Sequence, residues 1–140
     1  MTKSGPVIII EDDEDDIIIM REALTELDLN NEVIFFKNGQ LALEYLKRED
    51  VEPFIIICDI NMPVMDGITL KREIQKDAHL RLKCVPYLFF TTSANRYDVL
   101  EAYANSVQGF FIKPHSIHGL RKILKDIIGY WQHSEAPDYS

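Results

Sequence analysis

Five short apolar runs, Val7 to Ile10, Val33 to Phe36, Phe54 to Cys58, Tyr87 to Phe90 and Phe110 to Ile112, constrain the fold more than any other feature of the chain. Each has the length of a strand and is rich in β-branched or aromatic side chains, and none alternates strictly with polar residues. A strand with one face in water alternates, whereas a strand covered on both faces does not. Covered faces are the condition of a parallel sheet with helices on each side. Parallel neighbours need crossover segments between them, and the intervening stretches carry helical spacing. Ile17, Met20, Leu24 and Leu27 form a stripe between about Asp15 and Leu27, and Leu41, Ala42, Tyr45 and Leu46 follow Asn38-Gly39. Ile68, Leu70 and Ile74 follow Gly67, while Val99, Leu100 and Tyr103 lie between about Arg96 and Asn105. The last segment is the most regular, with Leu120, Ile123, Leu124, Ile127, Ile128 and Trp131 on one face. The expected fold is α/β: a doubly wound five-stranded parallel sheet flanked by five helices, with right-handed crossovers.

At 140 residues this is one domain, expected to occupy residues 1–131, with a polar tail over 132–140 that frays and no effector domain. Fifteen basic residues against 23 acidic ones give a net charge of −8, which repels phosphate backbones and anionic headgroups. Nucleic acid and membrane surfaces are therefore not expected as direct partners. The longest apolar run, Phe54 to Cys58, falls far short of the roughly 18 to 20 residues that span a bilayer. The N-terminus lacks a signal-peptide core, so a cytoplasmic protein is expected. Cys58 and Cys84 match neither a zinc knuckle nor a redox pair and read as ordinary reduced thiols.

In open α/β sheets ligands bind outside the carboxyl ends of the strands, where strand order reverses. Those ends carry Glu11-Asp12-Asp13-Glu14-Asp15-Asp16 after the first run, Asp59 after the third, Thr91-Thr92-Ser93 after the fourth and Lys113-Pro114 after the fifth. Asp15 and Asp16 fall in the first turn of a helix, where negative charge suits the helix dipole. Glu11 and Asp12 fall on the strand-to-helix turn and face the other strand ends. Carboxylates of Asp12 and Asp59 brought together need a countercharge, and an oxygen-rich shell suits Mg2+. His79, His115, His118 and His133 show no metal-site spacing and read as surface residues. An aspartate beside a cation and opposite a lysine is equipped to attack phosphorus, which makes Asp59 the candidate nucleophile. Lys113 would neutralise charge and the Thr91 hydroxyl would hydrogen-bond a phosphoryl oxygen. Taken singly, each has a plain structural alternative, since threonine often ends a strand and lysine often flanks a proline turn.

Together, Val7-Ile8-Ile9-Ile10-Glu11-Asp12, the stretch Asp59-Ile60-Asn61-Met62-Pro63-Val64-Met65-Asp66-Gly67, Phe90-Thr91-Thr92-Ser93 and Gly109-Phe110-Phe111-Ile112-Lys113-Pro114 resemble the receiver domain of two-component response regulators, in its single-domain, chemotaxis-type form. The resemblance covers nearly the whole chain. It implies that Asp59 accepts a phosphoryl group from a sensor histidine kinase, that Mg2+ is held by Asp12, Asp59 and the backbone carbonyl of Asn61, and that Glu11 acts through a water. It further implies that Thr91 is the switch hydroxyl, Lys113 the phosphate-contacting lysine and Phe110 the aromatic whose rotamer follows Thr91. Asn61 and Ser93 would border the path of the hydrolytic water. The added charge of a phosphoryl group, about −1.5 to −2, would draw in Thr91 and Lys113 and reshape the face of the fourth crossover helix, last strand and last helix. Such a protein is not an enzyme toward free substrates; it catalyses only its own phosphotransfer and dephosphorylation. Its output is a downstream protein target or a phosphotransfer protein.

Two departures from the family pattern stand out. His115 occupies a place where an aromatic is more usual, and Tyr130-Trp131 with the tail resembles the endings of phytochrome-associated regulators. The second points to a phytochrome-type kinase, with Trp131 serving either helix packing or a homodimer contact. A dehalogenase-type phosphatase would place its nucleophile on the first strand and a second acid where Asn61 stands. A flavodoxin would have a hydroxyl-rich loop where the acids follow Ile10. An unphosphorylated receiver-like interaction module is the remaining alternative, and the intact Asp12, Asp59, Thr91 and Lys113 oppose it.

Overall fold

The computed structural model describes residues 2–137. Among these the strands are β1 (Val7–Ile10), β2 (Val33–Phe36), β3 (Ile55–Cys58), β4 (Tyr87–Thr91) and β5 (Gly109–Ile112). The helices are α1 (Glu14–Glu26), α2 (Gly39–Leu46), α3 (Gly67–Gln75), α4 (Ala78–Lys83), α5 (Arg96–Ala104) and α6 (Ile117–His133). Every helix starts from a short polar side chain, Asp13, Asn38, Asp66, Asp77, Asn95 or Ser116, that accepts a hydrogen bond from a first-turn N–H. Caps of this kind are worth roughly 1 kcal/mol each and fix where each crossover leaves the loop.

One crossover differs from the expectation of five helices: the connection from β3 to β4 holds two, α3 and α4. Asp77 is the cause, because its carboxylate takes the N–H groups of His79 (2.9 Å) and Leu80 (3.1 Å) and restarts the chain in a new direction. The short helix is then fastened by Lys83, whose Nζ donates to the carbonyls of Leu46 (2.8 Å) and Arg48 (2.7 Å) at the end of α2.

All strand pairs are parallel and the order is β2-β1-β3-β4-β5. The chain therefore steps outward from β1 to β2 and returns to the other side with β3, so the order reverses between β1 and β3. Side chains of the central strands alternate between two cores. Ile8, Ile10, Ile56, Cys58, Tyr87 and Phe89 pack with residues of α2, α3, α4 and α5. Val7, Ile9, Ile55, Ile57, Leu88 and Phe90 pack with Met20, Ala23 and Leu24 of α1 and Leu120, Leu124, Ile127 and Ile128 of α6. This double covering explains why the runs lacked alternation.

Two stripes read from spacing turn out rotated. In α5, Leu100 and Tyr103 are 60% and 53% exposed and Ala102 is the buried residue. The small Ala102 lets α5 approach the sheet closely, and the Arg72–Glu101 ion pair at 2.7 Å pins it to α3. In α2, Leu43 takes the buried place expected of Leu41, while Tyr45 packs its ring against Phe36. Helix α6 continues past Trp131 to His133, Trp131 packs partly buried on the α1–α6 core, Glu135 pairs with Lys3 at 3.2 Å, and Ala136 rests on the same core. Asp138 to Ser140, the end of the tail expected to fray, lie outside the described residues. No helix among the described residues is long and apolar enough to cross a membrane.

Candidate functional site

The parallel register sets Ile10 beside Cys58, so the next residue of each strand leaves the sheet at the same rim. Asp59 N–H donates to the Ile10 carbonyl at 2.9 Å, and Glu11 N–H donates to that of Phe36, also at 2.9 Å. Carboxylate oxygens of Glu11, Asp12 and Asp59 consequently lie within 4.8 Å of one another. On the far side, Thr91 pairs with Ile112, and Lys113 N–H donates to the Thr91 carbonyl at 2.7 Å. This bond delivers the lysine side chain over the acids.

Lys113 is buried, and its ammonium donates to Glu11 Oε1, to Asp16 Oδ2 at 3.0 Å and to Asp59 Oδ2 at 3.3 Å. Glu11, also buried, uses its other oxygen to accept from the N–H groups of Asp12 (3.0 Å) and Asp13 (3.4 Å). Asp59 Oδ1 accepts from Ile60 N–H at 2.7 Å. Burial pushes the Glu11 carboxyl upward against the pull of Lys113. Burial also opposes the charge on Lys113, but the hydrogen bond and charge of Glu11, with the charge of Asp59, hold it above the ordinary lysine value. One ammonium thus serves three acids, and the cluster retains excess negative charge able to attract a cation. Thr91 is fully buried, and its hydroxyl oxygen has no hydrogen-bond partner among the described residues, a costly condition that a ligand oxygen would relieve.

The sequence-derived candidates thus separate into two groups. Glu11, Asp12, Asp59, Thr91 and Lys113 gather at one rim. Asn61 is exposed on the loop after β3, and Phe110 lies half-buried within β5, its ring tilted against Phe89 at 5.9 Å. The four histidines are exposed. Spacing ties Asp16 only to the helix dipole, yet its carboxylate reaches Lys113; its place in the first turn of a helix that begins at the rim is the signal for this contact. Cys58 donates its thiol to the Asp59 carbonyl at 3.0 Å, and burial pushes both thiols up, that of Cys84 to about 12, so neither is a ready nucleophile.

The loop from Asp59 to α3 is held tightly. Gly67 N–H donates to the Ile60 carbonyl at 2.8 Å, and a Cβ on Gly67 would overlap the Asp59 carbonyl oxygen, so only glycine fits there. Met65 N–H closes on the Pro63 carbonyl at 2.8 Å, which forces Val64 to φ 70°. A β-branched residue is strained in that region by about 1–3 kcal/mol, and Val64 is 82% exposed, so it gains no packing in return. Val64→Gly is therefore expected to stabilise the protein by about 1 kcal/mol after the entropy cost of glycine, raising Tm by a few degrees. Thermal melts check this, and a lowered Tm would show that the turn carries no strain.

So placed, acids and lysine at the switch point of a parallel sheet mark a flavodoxin-like domain of the signalling kind, with a carboxylate at its centre where a flavin carrier would cradle phosphate. The chain belongs to the response regulator receiver domain family, whose model matches residues 7–125. Chemotaxis protein CheY-3 of Vibrio cholerae is 32% identical over 127 residues, covering 91% of this chain and 94% of that protein. Response regulator Rcp1 of Synechocystis is 27% identical over 130 residues, covering 89% and 87%, and its Mn2+-bound crystal structure superposes with a TM-score of 0.84 over 96% of this chain and 99% of that one, at 26% identity. The crystal structure of the phosphorylated cyanobacterial phytochrome response regulator RcpA gives a TM-score of 0.87 at 27% identity, covering 96% and 99%. The chain is accordingly a receiver of two-component signalling.

Proposed function

We propose that Asp59 is the phosphoacceptor, charged by a sensor histidine kinase, and that the phosphoryl group switches a protein-binding face or is relayed onward. The observation that carries this is the Lys113 ammonium shared between Asp59 and Glu11 at the rim where β4 ends in Thr91, whose buried hydroxyl has no hydrogen-bond partner among the described residues. In the reaction a carboxylate oxygen of Asp59 forms a bond to phosphorus as the bond from phosphorus to the kinase histidine nitrogen breaks, leaving that imidazole with the electron pair. Lys113 neutralises charge on the phosphoryl oxygens, and the Thr91 hydroxyl donates to one of them.

Hard carboxylate oxygens without soft ligands fit Mg2+. Asp12 and Asp59, the Asn61 carbonyl and, through a water, Glu11 would hold it. Bound there, Mg2+ would neutralise developing charge on the transferring phosphoryl oxygens. The similarity to Rcp1, whose structure is described as Mn2+-bound, supports a divalent cation at this rim. Similarity to regulators described as phytochrome response regulators supports a phytochrome-type kinase as phosphodonor.

The reading for output rests on the face of α5, β5 and α6, which leaves Tyr97, Leu100, Tyr103 and Ile112 exposed. Thr91 moving toward a phosphoryl oxygen would vacate space beside Phe110, whose ring would turn inward on Phe89 and alter that face. Incubation with acetyl phosphate is expected to add one hydroxylamine-labile phosphoryl mass in the presence of Mg2+ and none when EDTA removes it. An adduct of equal yield in EDTA would remove the cation from the reading. Absence of both an adduct and beryllofluoride binding would leave a constitutive interaction module.

A further inference from the structure

The Lys113 ammonium has three N–H donors and no acceptor capacity, and it has three carboxylate partners: Glu11, Asp16 and Asp59. Two of these have other duties. Asp59 is the residue that would be phosphorylated, and Glu11 belongs to the acidic cluster and caps the N–H groups of Asp12 and Asp13. Asp16 stands outside the cluster, on the first turn of α1, and its carboxylate is turned to the lysine. First-turn acids need no such contact: Asp15, beside it, is exposed, and Glu14 pairs with Lys37 on the surface.

We propose that Asp16 is a positioning residue for phosphotransfer: by holding the Lys113 ammonium from the α1 side, it keeps that ammonium over Asp59 while Asp59 changes from carboxylate to acyl phosphate. This rests on the assignment of Asp59 as phosphoacceptor. The physical ground is that a lysine stem has free rotation about its four carbons. An ammonium tied only to Glu11 and Asp59 would have a single fixed anchor, Glu11, while its other contact passes from the Asp59 oxygen to the phosphoryl oxygens. Asp16 is a fixed anion on a capped helix, so the lysine remains oriented at no further entropic cost.

The test measures initial rates of phosphoryl incorporation from acetyl phosphate at saturating Mg2+, by intact mass, for the unaltered chain, Asp16→Asn, Asp16→Glu, Lys113→Ala and the double variant Asp16→Asn with Lys113→Ala. Asp16→Asn is expected to slow incorporation about five- to tenfold when Lys113 is present and less than about twofold when it is absent, the coupling expected of groups in contact. Asp16→Glu, which keeps the charge, is expected to recover to within about twofold of the unaltered rate. A structural role in α1 would slow both backgrounds equally, and that result overturns the proposal. An Asp16→Asn rate equal to that of the unaltered chain, or Asp16→Glu no faster than Asp16→Asn, overturns it as well. If the unaltered chain itself takes up no phosphoryl group, the assignment of Asp59 fails instead, so the two failures are distinguishable.

Discussion

Asn in place of Asp59 is expected to abolish phosphoryl uptake, with a rate loss of at least about a hundredfold. Other acids stand close, so the size of the loss depends on whether any can substitute. Glu11 cannot, because it is buried and both its oxygens are committed, one to Lys113 and one to the backbone of Asp12 and Asp13. Asp16 is held on the α1 side of the lysine and is not part of the acidic cluster. Asp59 alone combines an oxygen fixed by Ile60 N–H, an oxygen at Lys113 and membership of the cluster. The Asn amide keeps the size of the carboxylate and can still accept from Ile60, so the fold should survive. It also removes one of the three acids that share a single ammonium, and the variant should be at least as stable as the parent. Intact mass after acetyl phosphate treatment with Mg2+ checks the first point and a urea melt the second. A hydroxylamine-labile adduct of undiminished rate on Asp59→Asn would place the chemistry on another acid.

The parts of this molecule that were legible in the sequence are those set by short-range rules. Strands such as Ile55–Cys58 showed themselves because burial on both faces demands continuous apolar residues, and a parallel sheet then collects its strand ends at one rim. The strand positions alone therefore place Glu11, Asp12, Asp59, Thr91 and Lys113 at one rim. What stayed hidden depends on how elements rotate and pack. Helix α4 is six residues long, too short for periodicity to announce, and only the Asp77 cap signals it. The apolar residues of α5 are spread around its axis, so spacing favoured Leu100 and Tyr103, whereas packing selected Ala102. Asp16 resembled any acid of a first helical turn until Lys113 arrived from 97 residues away. Buried lysines are the hardest case, because nothing local distinguishes Lys71 and Lys83 from lysines in water.

Lys71→Met is expected to stabilise the protein by roughly 2–3 kcal/mol at neutral pH, raising Tm by roughly 5–10 °C. Lys71 is 1% exposed on α3, its Nζ lacks a hydrogen-bond partner among the described residues, and the nearest compensation is the Tyr87 ring, 5.0 Å away. Burial pulls its pKa from 10.5 down to about 8. At about 1.4 kcal/mol per unit, keeping the ammonium charged inside costs about 3 kcal/mol, and the aromatic ring returns only part of it. Methionine has a similar shape, fills the same volume and carries no charge. The sign of the pH dependence follows from linkage. Between pH 8 and 10.5 the unfolded chain holds the Lys71 proton and the folded chain has released it, so the penalty is complete below pH 8 and vanishes above 10.5. Groups other than residue 71 are common to both proteins, so their contributions cancel in the difference. The stability gap between Lys71→Met and the parent should therefore be widest near pH 7 and close as pH rises toward 10.5, as measured by urea melts at each pH. A gap that stays constant across that window would mean that packing, not the buried charge, sets the gain.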